Sequence, residues 1–336
     1  MLSRRSLFST GLVLGSVGLL AACGDSGESG SGSASDGGGA GDAQGAFPVT
    51  VDTLFGAVEI SEQPARVVAL GWGDAEAALS LGVQPVGASD WLAFGGEGVG
   101  PWAKGLYDEA PTIIETLEPD FEAIAALTPD LILDVKSSGD KDRYERLSQI
   151  ATTVGVPEGG ENYLVSPKDQ LAMIGRALGA SEKASELQKD LDEAFSEVAD
   201  AHPEWKGKSV TVATRTSEGW GAYIDGDTRV TFLEDLGFTQ SEKVAALPTG
   251  DSGFSVSISA EQLDELDADL IVAFPIYIET TQITDDKQWK QIPAVADGRD
   301  VVVDGDLSSA FSTGSTLAQK YALEQLPELV EKALGS

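Results

Sequence analysis

The sequence predicts an α/β protein of two similar lobes with a cleft between them, on three observations. The first is an internal repeat. Glu122-Ala-Ile-Ala-Ala-Leu-Thr-Pro-Asp-Leu-Ile-Leu133 and Glu261-Gln-Leu-Asp-Glu-Leu-Asp-Ala-Asp-Leu-Ile-Val272 share one pattern: Glu opens a short helix, and an Asp leads directly into a buried strand. A repeat at this spacing is too long for a solenoid and too short for two independent domains, so it marks two lobes of one protein. The second observation is that strand and helix patterns alternate on both sides of residues 181–201. The third is that segment itself. It sets Leu187, Leu191, Phe195 and Val198 on one face and, at about 1.5 Å per residue, spans about 30 Å. It reads as a rigid bridge between lobes, with Ser181 able to cap it.

The chain opens with Arg4 and Arg5, an uncharged stretch from Ser6 to Leu20, and small residues before Cys23. A basic head and an apolar run too short for a comfortable membrane span predict a secretory signal over residues 1–22. Ser3-Arg-Arg-Ser-Leu-Phe8 also resembles a twin-arginine signal, which leaves both export routes open. Leu20-Ala-Ala-Cys23 resembles a bacterial lipobox, which implies that the sulfur of Cys23, the only cysteine, carries a diacylglycerol and becomes the new N-terminus. At roughly 0.8 kcal/mol per buried methylene, two or more acyl chains anchor stably where one does not. Residues 23–46 are almost wholly small or acidic and read as a flexible, lipidated linker.

Residues 47–180 form the predicted first lobe. Arg66–Leu70 is a strand ending at Gly71-Trp72-Gly73, Asp74 caps a helix through Leu81, and a second strand over 84–88 ends at Ser89-Asp90-Trp91. A glycine-rich loop follows, then the first repeat copy, whose strand ends near Lys136. A helix from Pro167 to Leu178 is stopped by Gly179. Residues 202–336 form the second lobe, expected to match the first element by element. It has a strand over Ser209–Ala213, an aromatic loop with Trp220 and Tyr223, a helix over Thr231–Leu236, and a second repeat copy ending at Phe274-Pro-Ile-Tyr277.

Twenty-two Lys and Arg stand against 55 Asp and Glu, a net charge of −33, made two units more negative by loss of Arg4 and Arg5. Such a surface repels nucleic acid and anionic headgroups. One His, one Cys and two Met offer no metal-ligand spacing, so no resident metal is expected. Gly250-Asp-Ser-Gly253 echoes a protease nucleophile loop, yet His202, the only histidine, lies in a helix-ending turn and supplies no plausible base for Ser252. Gly207-Lys-Ser209 lacks the rest of a phosphate loop and precedes a strand rather than a helix.

Ligands of open α/β sheets lie beyond the carboxyl ends of strands. That rule selects Trp72, Trp91, Lys136, Arg215, Trp220, Tyr223 and Tyr277, with Tyr144 and Trp102 as further candidates and Arg215 the leading one. Each aromatic competes with a plain packing role.

Phe55-Gly-Ala-Val-Glu-Ile, Pro64-Ala-Arg-Val-Val-Ala-Leu, Leu81-Gly-Val-Gln-Pro-Val-Gly, both repeat copies and Ile292-Pro-Ala-Val-Ala-Asp-Gly-Arg299, in this order behind a lipobox, resemble the iron-siderophore substrate-binding lipoproteins of ABC importers. The resemblance covers about Phe47 to Leu334. It implies two Rossmann-like lobes with mainly parallel sheets, one long joining helix, little hinge motion and a cleft for a ferric siderophore, with no other cofactor and no catalysis. It also implies that Glu122 and Glu261 face outward and dock on arginines of the permease, which in turn engages an ATPase. One carboxylate per lobe suits a two-fold permease, although the helix dipole alone favours Glu there by about 0.3–1 kcal/mol. The resemblance leads us to expect a monomer, lipid-anchored on the outer face of the cytoplasmic membrane of a Gram-positive bacterium. Aromatic faces and few cations (Lys136, Arg215, and Arg229 or Lys104 nearby) suit a siderophore and lean toward neutral or cationic hydroxamates over catecholates. Haem, held through a tyrosine, and cobalamin are the alternatives within the fold. A surface-anchored hydrolase using Ser252 is the remote one.

Overall fold

The computed structural model describes residues 47–250 and 252–335. The leader, the linker and Cys23 lie outside the described residues. Among those described, no helix is long and apolar enough to cross a membrane.

A hairpin of β1 (Val49–Thr53) and β2 (Gly56–Ile60) precedes the first lobe. That lobe then runs β3 (Val67–Ala69), α1 (Asp74–Ser80), β4 (Gly87–Ser89), β5 (Thr112–Ile114), α2 (Phe121–Ala126), β6 (Leu131–Leu133), α3 (Lys141–Ser148), β7 (Thr152–Val154) and α4 (Pro167–Ala177). Its strands lie in the order β5-β4-β3-β6-β7, all parallel. Every residue of β3, β4 and β6 is buried, as a parallel sheet covered on both faces requires. From β3 the chain first builds outward to β4 and β5, then crosses to β6 and β7. The switch point therefore falls between β3 and β6, where Trp72 donates its backbone N–H to the Lys136 carbonyl at 2.8 Å.

The bridge α5 covers Ser181–Ala201. Ala184 and Leu187 pack into the first lobe's core, whereas Leu191, Phe195 and Val198 pack into the second lobe's. One apolar stripe thus serves two cores. Ser181 is not the cap: Ala180 holds that position without a side-chain bond, and Ser181 is the first helical residue.

The second lobe contains β8 (Ser209–Arg215), β9 (Trp220–Tyr223), α6 (Thr228–Asp235), β10 (Thr239–Gln240), α7 (Glu242–Ala245), β11 (Ser255–Ile258), β12 (Leu270–Pro275), α8 (Thr281–Thr284), α9 (Pro293–Ala296) and β13 (Asp300–Val302). The chain ends in α10 (Gly305–Thr313), α11 (Thr316–Leu323) and α12 (Leu326–Leu334); α11 packs back on α1 and α5. The sheet order is β11-β9-β8-β12-β13, with β10 beside the start of β8. Element-by-element equivalence with the first lobe fails here. Thr216 donates its N–H to the Gly219 carbonyl at 2.9 Å, closing a turn that sends β9 back antiparallel to β8, and β11 is antiparallel to β9.

The repeat itself has a physical basis. In the first copy, the Asp130 carboxylate accepts the backbone N–H groups of Ala65 (2.8 Å) and Arg66 (2.9 Å), at the start of β3. In the second copy, Asp269 accepts the Ser209 N–H and hydroxyl, both at 2.8 Å, at the start of β8. Each Asp clips the entry of the neighbouring parallel strand. The helices of the two copies differ. Asp120 caps α2 by accepting from Glu122 and Ala123 N–H, both at 3.0 Å, whereas the Ser259 hydroxyl is turned to the Gln262 side chain at 2.9 Å. Residues 260–266 have no side-chain cap bond and form a 3-10 stretch kinked at Gln262 instead of an α-helix.

Candidate functional site

Between the lobes lies a cavity of about 1020 Å³. Its first-lobe wall is aromatic: the rings of Trp72 and Trp91 stand 5.2 Å apart, and Tyr163 meets Trp91 edge-on at 5.4 Å. Trp91 is fixed by its indole N–H, which donates to the Leu70 carbonyl at 2.9 Å. Phe254 continues the surface onto the second lobe, 6.3 Å from Tyr163 and 6.2 Å from Tyr223.

Charged groups form the floor. Lys136 is 4% exposed and donates from Nζ to Thr228 Oγ1 across the cleft. Burial is the main cause that pushes its pKa down to about 8; Arg229 adds to the fall while Asp227 and Asp74 oppose it. Asp227 caps α6 and takes a two-pronged ion pair from Arg229, Nε to Oδ1 at 2.8 Å and NH2 to Oδ2 at 2.7 Å. Arg229 also lies over the Tyr223 ring at 3.7 Å. Burial disfavours its charge, but the Asp227 carboxylate outweighs that and holds the guanidinium protonated.

Beneath the floor, Asp74 is not a helix cap. Gly73, at φ +80, occupies that position, and the Asp74 carboxylate turns inward. It accepts the Val135 N–H at 2.8 Å, the Lys136 N–H at 3.4 Å and Gln170 Nε2 at 2.6 Å, tying the ends of β3 and β6 together. Burial raises its pKa to about 6, against the pull of those donors. Glu76, also buried, accepts from Gly100 N–H, from Trp102 Nε1 at 2.7 Å and from the Ser315 hydroxyl of the returning C-terminal segment.

Of the residues chosen by the strand-end rule, Trp72, Trp91, Lys136, Tyr223 and Tyr277 line this cavity, and Arg229 does as well. Arg215 does not. Its NH1 donates to the Thr216 carbonyl at 2.9 Å and its guanidinium lies 5.4 Å from the Trp220 ring. Trp220 is stacked on Trp289 at 5.0 Å within a separate core of the second lobe. Tyr144 is stacked on Phe55 at 4.1 Å, and Trp102 is committed to Glu76. Tyr163, Phe254 and Leu117 line the cavity from loops; Tyr163 and Phe254 carried no strand-end signal, whereas Leu117 lies just past β5, a strand the sequence reading did not mark. Glu122 and Glu261 are both exposed, one on each lobe. Ser252 bonds to the Ser255 hydroxyl at 2.9 Å, while His202 is stacked on Trp205 and faces Glu204. Among the described residues, no group of three or more His, Cys, Asp or Glu stands where it could hold a metal ion.

A family model described as periplasmic binding protein matches residues 67–307, a span holding both sheets, the bridge and the cleft walls. The chain belongs to the periplasmic binding protein family. This periplasmic binding protein is 29% identical over 282 residues to the probable siderophore-binding lipoprotein YfiY of Bacillus subtilis, covering 80% of this chain and 82% of that one. To the Fe(3+) dicitrate-binding periplasmic protein FecB of Escherichia coli it is 28% identical over 253 residues, with 74% and 77% covered. The structure of Streptococcus pneumoniae PiaA in complex with ferrichrome superposes with a TM-score of 0.73 at 26% identity, covering 85% of this chain and 99% of that one. A periplasmic binding protein works as a transport receptor, and catalysis forms no part of that role.

Proposed function

We propose that this periplasmic binding protein captures a ferric siderophore in the interlobe cleft and delivers it to the permease of an ABC importer. The observation that carries the reading is the zoning of the cleft: buried Lys136 and Arg229 on the floor, with Trp72, Trp91, Tyr163, Tyr223 and Phe254 around them. Cationic donors suit the iron-bound oxygens of a chelate, and aromatic faces suit its organic frame. The siderophore-binding lipoprotein and the ferrichrome complex among its relatives support the same ligand class. Around the cavity, Lys136 and Arg229 stand against Asp227, Glu279, Asp304 and Asp306, a balance that favours a neutral or cationic hydroxamate complex over a strongly anionic catecholate.

In this reading, Trp72, Trp91, Lys136, Tyr223 and Tyr277 contact ligand, and a lipid on Cys23 holds the monomer outside the cytoplasmic membrane of a Gram-positive cell. Glu122 and Glu261 dock the loaded protein on the permease. Exposed carboxylates, one per lobe, support that role. The test is uptake of ferric siderophore by cells carrying the Glu122→Ala, Glu261→Ala double variant. Transport is expected to be abolished with ligand affinity unchanged; normal transport by the variant would refute the docking assignment.

A further inference from the structure

The mouth of the cleft differs in kind from its floor. Leu117 of the first lobe is 70% exposed and Tyr277 of the second is 85% exposed, the two barest large hydrophobic side chains of the described residues, and both line the same cavity. The backbone at or beside each is anchored. The carbonyls of Thr116 and Leu117 accept from Arg143 NH1 at 2.8 and 3.3 Å, and Arg143 is itself locked by a buried ion pair to Asp134 at 2.8 Å. Next to Tyr277, the Ile276 N–H donates to the Arg215 carbonyl at 2.9 Å. Tyr277 sits at φ +54, a left-handed conformation that disfavours any side chain and is uncommon outside glycine and asparagine. A bulky ring kept there with no partner among the described residues is a feature that folding alone does not account for.

Exposed acids stand on the same rim: Glu279, Asp304 and Asp306 all line the cavity mouth. Apolar side chains, one from each lobe, beside negative charge, complement an aliphatic arm that ends in a cation. We propose that Leu117 and Tyr277 are specificity-determining residues that clamp an aliphatic, cation-terminated arm projecting from the bound ferric chelate. The clamp rests on the siderophore reading and adds to it: the floor receives the iron centre, and the mouth selects the periphery. Rigid backbone on both sides keeps the clamp preorganised, so little ordering is needed on binding.

A matched pair of probes tests this: the ferric complex of a linear trihydroxamate with a free aminopentyl arm, and that of its cyclic counterpart with no arm. Tryptophan-quenching titrations would compare the wild type with Leu117→Ala and Tyr277→Gly. Wild type is expected to bind the armed chelate at least tenfold more tightly. Each variant should lose most of that preference, and Leu117→Ala, which touches only the arm, should keep its affinity for the cyclic chelate within about twofold. Tyr277→Gly relieves the left-handed strain, so its thermal midpoint should not fall, which separates lost clamping from lost folding. If wild type binds both chelates equally, or Leu117→Ala weakens both alike, the clamp is wrong and the siderophore reading stands. If neither chelate binds wild type, both fall.

Discussion

Lys136 is the residue on which the proposed chemistry turns. It is buried, bonded across the cleft to Thr228, and faced by Asp227, Arg229 and Asp74. Its charge is lost as pH rises through about 8. Affinity for a ferric hydroxamate should therefore fall between pH 7 and pH 9, and titrations of Lys136→Met should be weaker by roughly tenfold or more, the scale of a charge-assisted hydrogen bond, without that pH dependence. The effect on stability has the opposite sign. Because the folded pKa lies below that of a free lysine, the unfolded chain binds more protons between about 8 and 10.5. Unliganded wild type should gain stability with rising pH over that window, and Lys136→Met should not. The strand-end rule could reach Lys136 because it follows β6 at the switch point. It could not foresee that the Asp74 carboxylate turns inward, since an Asp before an apolar run has the same sequence signature whether it caps a helix or clips two loops. Tyr163 and Phe254 were invisible for a related reason: both enter the cleft from loops whose course depends on contacts between the lobes, such as the ring pair they form at 6.3 Å.

At the scale of elements, the repeat was readable because it serves a structural need that recurs. Asp130 and Asp269 each satisfy backbone donors at the entry of a central strand, where the ladder leaves them unpaired. Asp130→Ala and Asp269→Ala are each expected to lower unfolding free energy by about 1–2 kcal/mol, as removal of paired acceptors does, measured by urea denaturation with the m-value unchanged; no loss in either would refute the clip. The backbone bond from Ser209 is the main cause that holds the Asp269 pKa below its ordinary value. Its contribution is therefore present above the ordinary carboxylate range and is lost as pH falls through the folded pKa. The bridge was equally readable, since its apolar stripe sustains one period across both cores. The hairpin β8–β9 was not, because a Gly-containing turn can return a strand or lead it into a helix, and the choice is made by pairing in the sheet.

Across the whole molecule, polar bridges span the lobes on the inner side of the cleft: Lys136 to Thr228, and Ser315 to Glu76. Burying such groups is tolerable only while they remain paired, which favours a fixed mouth over a wide hinge motion and suits a receptor whose partner must recognise one shape. The two-lobed layout followed from repeat, alternation and bridge, while the pairing that fastens the lobes required the coordinates, because partners such as Glu76 and Ser315 lie far apart in the chain. The central claim is capture of a ferric chelate, and tryptophan fluorescence reads it directly, since Trp72 and Trp91 form one wall of the cavity. The soluble domain from Phe47 would be titrated with ferric hydroxamate, ferric catecholate, ferric citrate, haem and cobalamin. Saturable quenching at submicromolar concentration by the ferric hydroxamate, and none by its iron-free form, is the predicted result. Saturation by haem or cobalamin alone, or silence across the panel, would contradict it.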